Sequence, residues 1–453
     1  MQLTMKVCAK TLLAVSILAA STQESNAALI EKTYDMNSGL SLSYSGEPMV
    51  GKTVKFVPDS SDEAKATLTL SSVFDLSQVP DIPEALKQSI AGPGVIPGSP
   101  EVVLPVTLSG GANGEYSFSG SASTDYITYR YAGTVSASAL RLDITDAVLA
   151  NQKLTGSWNT ATYLTNEWGD EVLSTPAHIV WTSDKPLAVM EGFELPMETL
   201  LQLVLVMPII NEQNVVTILP EVFKKVDFLA DGNLTADVVS EGKAITSPMN
   251  MAQYVVKDDN QMLLFLDPAA IAAFDAQVKA PVAKAKAATR GGIADLDINN
   301  ILGNVLAQVA PMLSQGLPLG YTADNDKLSV FIGDDVLLPL LKTNVVPLLK
   351  DEELVQQISD LLAQSSDETM ASMAAMIPGI AASLVDVIEG TTKIEIGVNF
   401  DKKSQSAIGS VVNTADKEET GRYNMQGQKV GSDYRGVVVI RFSDGSAMKT
   451  VVR

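Results

Sequence analysis

Across residues 39–145 the apolar positions recur every second residue. Leu40, Leu42 and Tyr44 alternate with serines, Val54 and Phe56 flank Lys55, and Ala66, Leu68 and Leu70 alternate with Thr67 and Thr69. The same pattern returns at Val102, Leu104, Val106 and Leu108, at Tyr116 and Phe118, and at Leu140, Leu142 and Ile144. A period of two turns one face of a strand to a core and the other to water. The separators Ser45-Gly46, Pro58-Asp59-Ser60 and the glycine-rich 110–114 are turn formers. Short strands at this spacing predict an antiparallel sandwich, barrel or meander over residues 28–153. One insertion, 80–100, interrupts it with a predicted short helix at 82–90 and a Pro/Gly loop. It reads as a surface decoration or as a lid beside a barrel mouth.

From residue 154 the pattern changes. Leu-Thr-Gly-Ser-Trp (154–158) and 177–181 read as strands, and the apolar run 195–210 reads as a helix that Pro208 ends. Hairpins are predicted at 226–238 around Ala-Asp-Gly-Asn, at 254–266 and at 320–332, with a last strand at 393–400. Leu/Met-rich helices are expected at 301–317, 334–349, 351–364 and 367–389. Residues 154–409 are thus expected to form an α+β domain of helix-hairpin units, making the whole chain mainly β. Residues 277–292, rich in Lys and Ala, read as a linker or an anion-binding arm. Beyond 410, a polar linker and three short strands predict a small C-terminal β module.

The N-terminus changes the picture of where this fold resides. Lys6 and Lys10 precede an apolar run at 11–20, too short for the ~20 residues of a bilayer span. A polar stretch then leads to Ser25 and Ala27 at the small positions of a cleavage site. Residues 1–27 are therefore expected to be a secretory signal, with the mature protein exported to the periplasm, cell surface or medium. Cys8, the only cysteine, lies before the apolar run, so no lipid anchor is expected. Cleavage leaves no thiol for disulfides, thiolate catalysis or iron–sulfur ligation. Removing Lys6, Lys10 and Glu24 takes the formal charge from −21 to −22. Such a field repels phosphate backbones, so no nucleic-acid partner is expected. No later run offers about 18 uninterrupted apolar residues, so no transmembrane span is expected either.

No catalytic constellation emerges. His178 is the single histidine, no G-x-S-x-G elbow accompanies it, and a histidine-based metal site fails by count. No cofactor is implied, since phosphate-binding and dinucleotide glycine motifs are absent. Asp-Asp-Asn (258–260) and Asp-Asn-Asp (324–326) resemble calcium-loop fragments but lack the Gly and distant Glu, and read as hairpin turns. With 53 acids and no motif, a two-carboxylate glycan hydrolase stays open without a nameable pair. The aromatics are the remaining lead. Tyr129 and Tyr131 share a strand face while Tyr126 points away, and Trp158 and Trp181 lie on the following strands. These four, Tyr129, Tyr131, Trp158 and Trp181, are the candidate ligand-binding residues, with core packing as the alternative.

The run Tyr-Ser-Gly-Glu-Pro-Met-Val-Gly-Lys-Thr-Val-Lys-Phe (44–56), with 66–70 and 154–158, resembles an uncharacterised family of secreted lipocalin-like proteins from gut-type anaerobic Gram-negative bacteria. The resemblance covers most of 30–400 and implies a lipocalin-like barrel of unknown function, with no catalytic residues to carry over. Residues 422–430 and 435–453 resemble the last strands of type IX secretion sorting modules. The expected function is a non-catalytic exported protein that binds a small apolar molecule or a glycan. A structural or adhesive surface protein and the carboxylate hydrolase are the alternatives.

Overall fold

The computed structural model describes residues 29–75, 89–111, 113–166, 172–190, 192–207, 214–240, 242–278, 310–364, 374–402, 419–424, 428–431, 434–442 and 447–452. The signal-like segment, most of the predicted 82–90 helix, the basic stretch after 278 and the 410–418 linker lie outside them.

Within 29–149 the alternation produces two sheets. One joins Lys32–Tyr34, Lys52–Pro58, Lys65–Asp75, Ser89–Ala91 and Val102–Thr107; the other runs from Glu47–Pro48 through Leu40–Tyr44, Leu140–Leu149, Ile127–Val135 and Tyr116–Ser123 to Ser109–Gly110. Val102–Thr107 alternates buried and exposed at every residue, as a strand between core and water must. Tyr34, Tyr44, Phe56, Leu68, Leu70, Ile127, Leu140 and Leu142 fill the core. Two local expectations are corrected. Residues 89 and 90 are strand, not the end of a helix. Nor is the region a plain antiparallel meander: Leu40–Tyr44 pairs in parallel with Leu140–Ile144, Leu42 opposite Leu142.

The closed barrel lies downstream of the segment whose alternation predicted one. Eight antiparallel strands close it in the order Gly156–Thr160, Phe223–Phe228, Asn233–Ser240, Ala252–Val256, Gln261–Leu266, Leu317–Ala323, Lys327–Ile332 and Thr391–Asp401. The last returns to the first through Asn159↔Asp401 and Thr160↔Phe400. The three predicted hairpins are therefore staves of one barrel. Register places Trp158 opposite Val226, Leu328 opposite Phe400 and Met262 opposite Leu319, all buried. Phe228 meets Tyr254 edge-on, 4.9 Å between ring centres. Buried side chains of the staves thus pack against one another, as eight-stranded barrels allow.

Barrel and N-terminal sheets share one continuous core. Ala252–Val256 is buried at all five residues because each of its faces is covered. The Tyr44 hydroxyl donates to the Asp231 carbonyl, and the Asn250 amide donates to the carbonyls of Tyr44 and Glu47. Lys52, 2% exposed, donates to the Pro93 carbonyl at 2.7 Å and pairs with Asp267 at 2.7 Å. Burial pulls its pKa down, opposed by the Asp267 charge. Asp267 also accepts from the amides of Ala269 and Ala270 at the start of helix Pro268–Val278.

The helix in the predicted 195–210 segment spans Met197–Val206 and stops before Pro208, as that residue requires. It is followed by Val215–Val222, capped by Asn214. A second core gathers Trp181, Leu187 and Ile394 with Val346, Val385 and Ile388 of the later helices. Of the predicted 367–389 helix, Ile377–Glu389 is helical, and 367–373 lie outside the described residues. The predicted 301–317 helix is seen at 310–315 and gives way to strand at Leu317. Residues 419–424, 436–442 and 447–452 form the expected three-stranded C-terminal sheet.

Candidate functional site

Strand Thr391–Asp401 is long enough to hold two partners on one edge. Its C-terminal end pairs with Gly156–Thr160 and the rest with Ala177–Ser183. Between those two partners the chain leaves the sheet, and Leu164–Thr165 pairs with Val172–Ser174 as a small hairpin beside the barrel. The far edge of Ala177–Ser183 carries no further strand among the described residues. Helix Met197–Val206 packs against this strand instead, where Glu198 accepts from the Trp181 amide at 3.4 Å.

This seam leaves a groove of about 490 Å³. Its helix wall is Thr199, Gln202, Leu203, Leu205 and Val206; its strand wall is Ala177, His178, Ile179 and Asn399. Val216 closes one side, and Tyr163, Val172 and Thr175 the other. Among the described residues no Lys, Arg, Asp or Glu lines it. Around it Leu203, Val204, Val206, Met207 and Val172 stay partly exposed, Leu203 at 48%. A helix apolar on nearly every face leaves such a surface when only one face packs.

His178 enters the groove wall already engaged. Its Nε2 lies 2.9 Å from Glu395 Oε2, and its ring stacks on Phe331 at 4.6 Å. Glu395 Oε1 pairs with Lys393 at 3.0 Å. Burial pushes the Glu395 carboxyl up, but its bonds to His178 and Lys393 outweigh that and hold it below its ordinary value. A second hollow of about 240 Å³ adjoins, with Ser174, Lys327, Ser329 and Asp401 in its wall. Among the described residues lining either hollow, Asp401 is the single carboxylate, so they offer no pair for a two-acid mechanism.

The four aromatic candidates sit elsewhere. Tyr129 and Tyr131 are buried in the N-terminal core, where the Tyr131 hydroxyl donates to the Pro105 carbonyl. Burial pushes the Tyr129 phenol up to about 12. Trp158 fills the barrel and donates to the Leu154 carbonyl; Trp181 belongs to the second core and donates to Thr391 Oγ1. None of the four lines either hollow. Both calcium-like runs are hairpin turns: Asp258 accepts from the amides of Asn260 and Gln261, and Asp324 from those of Asp326 and Lys327.

Sequence reasoning missed Ile179, Gln202, Leu203, Asn399 and Asp401. The available signal was the helix sequence Met-Glu-Thr-Leu-Leu-Gln-Leu-Val-Leu-Val, too apolar to bury every side on one partner. Comparison of the chain with family models, curated proteins and solved structures finds no match.

Proposed function

We propose that the protein is an exported, lipocalin-like binding protein whose seam groove holds a neutral molecule with an apolar chain. The observation that carries this reading is the lining: Ile179, Leu203, Leu205, Val206 and Val216 face the space, and among the described residues no ionic side chain does. Each methylene buried there contributes about 0.8 kcal/mol. Among the described residues an anionic headgroup finds no lysine or arginine in the groove, and the one imidazole there is already bonded to Glu395. The polar groups present, Thr175, Thr199, Gln202 and Asn399, suit a hydroxyl or carbonyl. Export rests on Lys6, Lys10, the 11–20 run and the Ala27 site, and the C-terminal β module is read as a sorting element.

Displacement of a neutral naphthylamine probe from the full mature chain tests the reading. We expect 1-decanol to displace it saturably, with decanoate at least about tenfold weaker. Leu203→Glu, at an exposed position, is expected to abolish displacement while leaving the circular dichroism spectrum unchanged. Absence of saturable displacement would favour the structural surface protein; decanoate binding as tightly as decanol would overturn the neutral-ligand reading. Mass analysis of the protein from its native host is expected to show a chain starting at Ala28, and retention of Met1 would refute export.

A further inference from the structure

The groove and the smaller hollow share Val172, Thr175 and Asn399, so they adjoin beside the hairpin Leu164–Thr165/Val172–Ser174. Their chemistry differs. The groove is apolar along its helix wall, whereas the hollow presents hydroxyl, carboxyl and ammonium groups from Ser174, Ser329, Asp401 and Lys327.

Asn399 stands between the two and is held fast. Its amide donates to the carbonyls of Thr175 and Ala177, and its Oδ1 accepts from Ser329 Oγ at 2.6 Å. Asp401 is the anomaly. It is only 7% exposed, it lines the hollow, and its Oδ2 has no hydrogen-bond partner among the described residues. Burial, opposed by Lys327 and aided by Asp326, raises the carboxyl above its ordinary value. Buried polar groups without partners are rare because each costs free energy, and Oδ2, closed to solvent as the side chain stands, gains its missing bond when the carboxyl turns to a hydroxyl held in the hollow.

We propose that the two hollows form one bipartite site for a neutral glycolipid-like amphiphile, with a single sugar ring in the hollow at Asp401 and Ser329 and the chain in the groove along Met197–Val206. The proposal rests on the reading of the groove as chain-binding. A sugar ring supplies several neutral hydroxyls that both donate and accept, matching the hydroxyl, amide and carboxyl lining. A phosphate would meet the Asp401 carboxyl with only Lys327 to offset it.

The test compares octyl β-glucoside, 1-octanol and octylphosphocholine as displacers of the naphthylamine probe from the full mature chain, all below their micelle-forming concentrations. In the wild type the glucoside is expected to bind about tenfold tighter than the alcohol, the effect of one or two net hydrogen bonds. Ser174→Phe, which fills the hollow from the hairpin, and Asp401→Asn are each expected to bring that ratio toward one. Melting curves establish that each variant is folded, and either one alone suffices. Octanol binding with no gain from the sugar would overturn this inference and leave the groove reading standing. Displacement by none of the three would sink both. Octylphosphocholine binding more tightly than the glucoside, or an unchanged ratio in the folded variants, would equally refute the glycosyl assignment.

Discussion

Lys52 shows at the scale of one residue how a buried charge is tolerated. Its ammonium is held by Asp267 and the Pro93 carbonyl between the N-terminal sheets and the barrel. Lys52→Met leaves the Asp267 carboxylate buried without its counter-ion, and we expect a loss of about 3–5 kcal/mol. The double variant Lys52→Met/Asp267→Asn is expected to recover part of it, because asparagine still caps the following helix. Thermal melts arranged as a double-mutant cycle measure both. The inward position of Lys52 was legible, since it shares its face with Val54 and Phe56 at a period of two. Its partner, distant in sequence, left no trace in any local pattern. The tyrosines and tryptophans illustrate the converse: their strand positions were readable, but whether a ring meets a ligand or a neighbour depends on contacts no periodicity encodes. Glu395 makes a pH prediction. Its carboxyl is held below the ordinary 4.5, so its contribution is full above that value and lost as pH falls through the lower folded one. The stability gap between wild type and Glu395→Gln should therefore narrow on acidification below about pH 4.5, followed by urea melts at successive pH values.

Among the elements, strand Thr391–Asp401 decides most. It was predicted almost in full from the alternation of Ile394, Ile396 and Val398, yet its double partnership was not, because an edge shared by two short strands looks locally like any other pairing. Gly397 is the tight point. A Cβ there would meet the Val330 carbonyl oxygen at 2.0 Å and Phe331, the ring on which His178 stacks. Gly397→Ala should cost about 1–3 kcal/mol, as overpacking does, and loosen the groove wall at His178. Denaturant midpoints report the first effect and weakened probe binding the second. The helix Met197–Val206 is less constrained. Its exposed Leu203 can be exchanged at little cost in stability, within about 0.5 kcal/mol, which separates binding from folding in that variant.

For the molecule as a whole, the mainly β character followed from the alternating pattern, and barrel closure did not. Alternation specifies a half-buried strand but not which strand lies beside it, and helices between the hairpins made the second region read as separate units. The shared core of sheets and barrel predicts one cooperative unfolding transition. Tryptophan fluorescence, to which Trp158 of that core contributes, should then coincide with far-ultraviolet dichroism across a urea titration, and two separated midpoints would refute this. Closure also sets a kinetic condition. The first stave, ending at Thr160, cannot join its last neighbour until Phe400 and Asp401 have been made. Loops of that length close slowly, and folding slows as contacts reach farther along the chain. The barrel of a nascent polypeptide therefore stays unshut until nearly nine-tenths of the chain has been made.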